Sequence, residues 1–172
     1  MRTMTYQDSA GASPRESVYI GEAVSVVGLS LDDEIWRFLG LFAESTGLIQ
    51  LRSRMANVRG GFDPDNVLEN LGNPAPDVCL VDFDGDRRGA AIIAERLRTA
   101  LPQTAVFAVS SQTQPEAILE SMRAGCSEYL TKPIDREQLI KAVARIGARR
   151  REKQEQSRAQ LLAFMGAKGG CG

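Results

Sequence analysis

The sequence predicts an α/β protein: a five-stranded parallel sheet, doubly wound with helices on both faces. Three observations predict it. Short apolar runs alternate five times with segments of helical periodicity. The connections are short, as successive strand–helix units require. The strongest run, DVCLVDF at 77–83, is almost wholly apolar and closes on an acid, the pattern of a strand buried on both faces.

Each element has its own signal. AVSVVGL (23–29) reads as the first strand. In LDDEIWRFLGLFAEST the residues Ile35, Phe38, Leu39 and Phe42 share one helical face, and Asp32 or Asp33 suits the cap. LIQLRSRM (48–55) is a weaker strand; after the turn-rich RGGFDPDN, a short helix in PDNVLENLG stops at Gly72. Beyond DVCLVDF, Ala90, Ile93, Leu97 and Leu101 mark a helix ended by Pro102. TAVFAVS (104–110) is another buried strand, and Pro115 opens a helix with Ile118 and Met122 on its inner face, closed by Gly125. SEYLTK (127–132) is the last short strand. A helix from about Asp135 then carries Leu139, Val143 and Ile146 on one face.

Composition bounds the rest. The 172 residues hold one domain and part of a second. With 43% hydrophobic and 25% charged residues the chain is ordinary for a globular protein. A net charge of −1 creates no field drawing in nucleic acid, and no apolar stretch is long enough to span a bilayer. Residues 1–18 have no apolar core to act as a secretory signal, so 1–21 read as a disordered leader. The absence of histidine removes Ser-His-Asp and Cys-His catalysis and most zinc sites. Three widely spaced cysteines, Cys79, Cys126 and Cys171, fit unpaired thiols in a reduced, cytoplasmic protein. The stretch RRREKQEQSR (149–158) has no apolar residue and reads as a solvated linker or the exposed end of the last helix, in preference to a basic patch for membrane or nucleic acid.

In a doubly wound sheet chemistry sits at the carboxyl ends of the strands. There the fold brings together Asp82, Ser110 and Lys132, a carboxylate, a hydroxyl and an ammonium. A carboxylate is a competent nucleophile toward phosphorus at neutral pH, and the transferred group needs positive charge and hydrogen-bond donors around its oxygens. The alternative is a structural Asp82–Lys132 salt bridge in a domain that is never phosphorylated.

PDVCLVDF, AVSS and AGCSEYLTKP, with their spacing over 22–147, resemble the receiver domain of bacterial response regulators. The resemblance implies a flavodoxin-like (β/α)5 fold with Asp82 as phospho-acceptor. It further implies that Ser110 and Lys132 contact the phosphoryl group, that Tyr129 is the aromatic switch, and that Lys132-Pro133 is a cis bond. Receivers hold Mg²⁺ with two adjacent acids where the first strand ends. That position is Gly28-Leu29 counted from the strand, or near Ser30-Leu31 counted back from the helix. The nearest acids are Asp32 and Asp33, which either turn inward as metal ligands or cap the first helix. FDGDRRGA after Asp82 also departs from the family, and Asp84 and Asp86 either replace lost ligands or decorate a loop. The DFDGD run is not a calcium loop, because its glycine is misplaced and position twelve is Ile93.

The chain ends in LLAFMGAKGGCG, read as an apolar strand running into a glycine loop within 160–172, after a connector at 148–159. KGGCG resembles the deviant phosphate loop of MinD/ParA ATPases, which implies nucleotide binding by Lys168, Gly169, Gly170 and Gly172, with ATP used only in a full-length protein. A diverged receiver followed by such a loop resembles pilus-assembly proteins of the CpaE/TadZ kind. That implies a non-enzymatic regulatory domain controlling an ATPase in Flp/Tad pilus assembly, located in the cytoplasm or peripherally at a cell pole. The implied partners are a second copy across the face of the fourth helix, fifth strand and fifth helix, and a histidine kinase or pilus-assembly protein. Two other roles stay open: a phosphorylation-independent docking or dimerisation module, and the regulatory fragment of an ATPase whose catalytic half is missing.

Overall fold

The computed structural model describes residues 22–56 and 63–166. The elements alternate as β1 (Val24–Leu29), α1 (Asp33–Thr46), β2 (Ile49–Met55), α2 (Pro64–Asn70), β3 (Val78–Asp82), α3 (Arg87–Ala100), β4 (Ala105–Ser110), α4 (Pro115–Arg123), β5 (Glu128–Thr131) and α5 (Arg136–Gly166). All strands are parallel, in the order β2-β1-β3-β4-β5. The leader at 1–21 and the glycine loop at 167–172 lie outside the described residues.

The period-two alternation of side chains divides the core. Val26, Leu80, Phe107 and Leu130 point to one face, where α1 packs with Ile35, Leu39 and Phe42 and α5 with Leu139, Val143 and Ile146. Val27, Cys79, Val81 and Ala108 point to the other, under Val67 of α2 and Ile93, Ala94 and Leu97 of α3. Every residue of β3 is buried, as a central strand covered on both faces must be. β2, at one edge, alternates between covered and exposed residues, which is why its sequence signal is weaker.

Local chemistry sets the ends of the helices. The Asp32 carboxylate accepts from the Ile35 N–H at 2.8 Å and caps α1. Gly47 closes that helix in the left-handed conformation, φ 65°, where a side chain would be strained.

α5 bears out one of the two readings of 149–158 and departs from the strand expected after it. It runs 31 residues, about 46 Å at helical rise, so the connector at 148–159 is the extended last helix. Residues 161–166, expected to open with a strand, are helical too. A strand needs a neighbour to pair with, whereas a helix satisfies its hydrogen bonds internally. Arg150 anchors α5 to the body through Asp77 at 3.1 Å and Glu22 at 2.6 Å; residues 151–157 are all exposed.

Both described cysteines are buried, and burial pushes their thiols up to about 12. Native protein treated with iodoacetamide at mildly alkaline pH is therefore expected to leave Cys79 and Cys126 unmodified, while unfolded protein is labelled at both. Peptide mass mapping reads the result; native labelling of either would contradict this packing.

Candidate functional site at the carboxyl edge

The register brings the site together. Asp82, the last residue of β3, lies opposite Val109 of β4, and Ser110 lies opposite Thr131 of β5. The ladder continues one step further, with the Lys132 N–H donating to the Ser110 carbonyl at 2.9 Å. Residues far apart in sequence thus become neighbours along one rim, over a cleft of about 310 Å³.

Lys132 is the hub. Its Nζ lies 2.5 Å from Asp82, 3.1 Å from Asp84 and 3.3 Å from Asp32. Burial alone would lower the lysine; the hydrogen bonds and charge of Asp82, Asp84 and Asp32 outweigh it and raise it above its ordinary value. Burial would likewise raise Asp84, but hydrogen bonds from Ser110, Ser111 and Lys132 hold it below the usual carboxylate range. For Asp32 the Ile35 N–H and Lys132 overcome desolvation in the same way.

Asp84 is fully engaged. Its Oδ1 accepts from the Ser110 hydroxyl at 2.6 Å, and both its oxygens accept from the Ser111 N–H at 2.9 Å. The Asp84 N–H itself donates to Asp82 Oδ1 at 2.8 Å, closing a tight turn that returns the second acid to the rim. Asp86 borders the cleft, but its carboxylate caps α3 through the Gly89 N–H and does not pair with Lys132.

Tyr129 is buried, and its hydroxyl donates to the Gln112 carbonyl at 2.8 Å. The Lys132–Pro133 bond is cis.

Asp33 does not join this group. It is exposed and pairs with Arg54 of β2 at 2.6 Å. Asp32 is the extended N-cap residue and turns its carboxylate back to the Ile35 N–H and Lys132, whereas Asp33 opens the helix and lies toward β2. The end of β1 supplies no acid either. A Cβ on Gly28 would lie 2.7 Å from Leu31 and 3.0 Å from Trp36, and Leu29 is fully buried on the opposite face. Ser30, in the left-handed region at φ 58°, turns the chain at this point. Sequence reasoning missed the part played by Ser111 and the closure over Gly28. It named Asp84 without seeing its partners. The i, i+2 spacing of Asp82 and Asp84, beside the doubled serine of AVSS, was the available signal.

The family model for the response regulator receiver domain matches residues 42–144. The chain belongs to this family. No curated protein matches it. Among solved structures, this receiver is similar to a pilus assembly-related protein of Burkholderia pseudomallei, at 19% identity and a TM-score of 0.62, covering 77% of this chain and 96% of that one. It is similar to the pilus assembly protein CpaE of Burkholderia thailandensis, at 20% identity and TM-score 0.58, covering 73% and 98%. It is also similar to the receiver domain of the response regulator NarL from Mycobacterium tuberculosis, at 20% identity and TM-score 0.61, covering 74% and 98%. At these identities the likeness establishes the fold.

Receiver domains generally bind Mg²⁺ at an acidic pocket on this edge. The donor set here fits the ion poorly. The ammonium of Lys132 sits among the three carboxylates, and among the described residues no group of three acidic or other ligating side chains is arranged around a vacant centre. One Asp32 oxygen is held by the helix cap, and Asp84 is held by two serines.

Proposed function

We propose that this receiver is a protein-contact module of a pilus-assembly machine and works without phosphoryl transfer at Asp82. The observation that carries the reading is the ammonium of Lys132 centred between Asp32, Asp82 and Asp84, beside a first strand whose end is closed by Leu31 and Trp36. Three carboxylates around one ammonium keep an excess of negative charge, but each of their oxygens already accepts a hydrogen bond or pairs with Lys132, which leaves no open set for Mg²⁺. The pilus setting rests on the two Burkholderia pilus proteins that share the fold. Docking is supported by α4, which buries Ala117 and Ser121 and presents to solvent Leu119 and Met122, the latter expected on the inner face, at 52% and 37% exposure. The output is a MinD/ParA-like ATPase, supported by the KGGCG segment that follows the long α5. A cytoplasmic location fits the lack, among the described residues, of a helix long and apolar enough to cross a membrane.

A phosphorelay role is the second reading. It is favoured by Asp82 facing the cleft beside Lys132. Incubation with acetyl phosphate and Mg²⁺, followed by intact-mass analysis, separates the two. No phosphoryl mass gain is expected, and in cells the Asp82→Asn variant is expected to support piliation as the wild type does, while Leu119→Asp with Met122→Asp does not. A mass gain in the wild type that disappears in Asp82→Asn would establish the phosphorelay instead.

A further inference from the structure

An ammonium, a hydroxyl and a backbone N–H converge at the ends of β4 and β5: Lys132 Nζ, Ser110 Oγ and the Ser111 N–H. Such a set is built to hold an oxyanion. In this protein all three give to one carboxylate, at 3.1, 2.6 and 2.9 Å, and it belongs to Asp84. A second chain of hydrogen bonds leads away from it. The Ser110 hydroxyl accepts from the Gln112 N–H at 3.1 Å, and the Gln112 carbonyl accepts from the Tyr129 hydroxyl at 2.8 Å.

We propose that Asp84 is a built-in anionic ligand: it fills the oxyanion site of the rim with the chain's own carboxylate and, through Ser110 and Gln112, holds Tyr129 in its buried position. This deepens the phosphorylation-independent reading above and rests on it. Three features argue for it. First, the donors are fully committed: Ser110 is completely buried, so its hydroxyl has no solvent to turn to. Second, an external phosphoryl dianion on Asp82 has to displace Asp84. That sets the Asp84 carboxylate free beside Asp32 and a new dianion, with one ammonium among them. Third, the tyrosine is joined to this point by consecutive hydrogen bonds and borders the loop leading into α4, the helix with exposed Leu119 and Met122. Asp84 is therefore the specificity-determining residue of the rim. It decides that the site answers to no external anion, and it keeps the β4–α4 loop in one state.

The test uses the full chain, labelled with ¹⁵N and with fluorotyrosine, as wild type, Asp84→Ala and Asp84→Asn. Thermal melts confirm that each is folded. In Asp84→Ala, loss of a charge-assisted acceptor is expected to speed Ser111 amide exchange about tenfold or more, and the Tyr129 fluorine signal is expected to move to a solvent-exposed position. Asp84→Asn keeps an acceptor oxygen and is expected to fall between. Inorganic phosphate is expected to restore both signals in Asp84→Ala and to leave the wild type unchanged. The proposal is overturned if Ser111 and Tyr129 are unaffected by both substitutions, or if phosphate shifts the wild type as much as the alanine variant. Phosphorylation of wild-type Asp82 would sink the broader reading by a separate measurement. A silent wild type whose alanine variant leaves Tyr129 buried would sink this inference alone.

Discussion

Replacing Lys132 with alanine is expected to lower the unfolding free energy at pH 7 by about 3 kcal/mol, because it strips the partner from a cluster of partly buried carboxylates. For a domain of this size that corresponds to a fall in Tm of roughly 10 °C. Asp82 is only 8% exposed and Lys132 17%, so water screens their contact far less than it screens a surface pair. The pH dependence distinguishes lost charge from lost packing. In the wild type, Asp84 and Asp32 lie below the usual carboxylate range. Their contribution is complete above the unfolded carboxylate value, about 4, and is lost as pH falls through the folded values. Lys132 is raised, so its contribution is complete below the unfolded lysine value, about 10.4, and is lost as pH rises toward the folded one. The wild type is thus expected to be most stable on a plateau between these limits. In Lys132→Ala the remaining carboxylates repel one another, which raises their folded values. That variant recovers relative stability as pH falls, and the difference from wild type is expected to narrow toward pH 4. Urea unfolding across that range reads the result; a deficit constant with pH would assign the loss to packing.

Replacing Phe107 with alanine is expected to cost about 4 kcal/mol. Phe107 lies mid-strand in β4, is fully buried, and belongs to the core cluster that joins the sheet to α1 and α5. Removing the ring takes its transfer free energy and leaves a cavity that the sheet cannot close, because Leu80 and Leu130 on the neighbouring strands are themselves locked in the ladder. Denaturant unfolding is expected to show a lower midpoint with an unchanged slope. Leu119→Ala on exposed α4 serves as the control and is expected to stay within about 0.5 kcal/mol. A similar loss at both positions would mean that Phe107 does not carry the core as its burial indicates.

The contrast between the strands and the rim shows what could be read in advance. The five strands, their parallel pairing and the helices between them were legible because each is set by a local period: valine-rich runs for the sheet, and Ile35, Leu39 and Phe42 for the inward stripe of α1. The convergence of Asp82, Ser110 and Lys132 was legible as well, because parallel strands carry their last residues to the same edge. The end of the chain was harder. LLAF satisfies a strand or a helix equally well by its apolar content, and the structure continues α5 through it.

By itself, then, the sequence determined the α/β class, the order of its elements and the residues at the carboxyl edge, since periodicity and turn chemistry act over a few residues. Only the tertiary structure decided what those residues do to one another. Whether Asp33 faced the metal position or Arg54, and whether Asp84 decorated a loop or filled the grip of Ser110, Ser111 and Lys132, depended on side-chain directions at the ends of separate strands. Those directions come from the packing of Leu31 and Trp36 over Gly28 and from the register between β3, β4 and β5. Contacts between residues tens of positions apart have no periodic signature in the chain. They exist only once the sheet has brought the residues together.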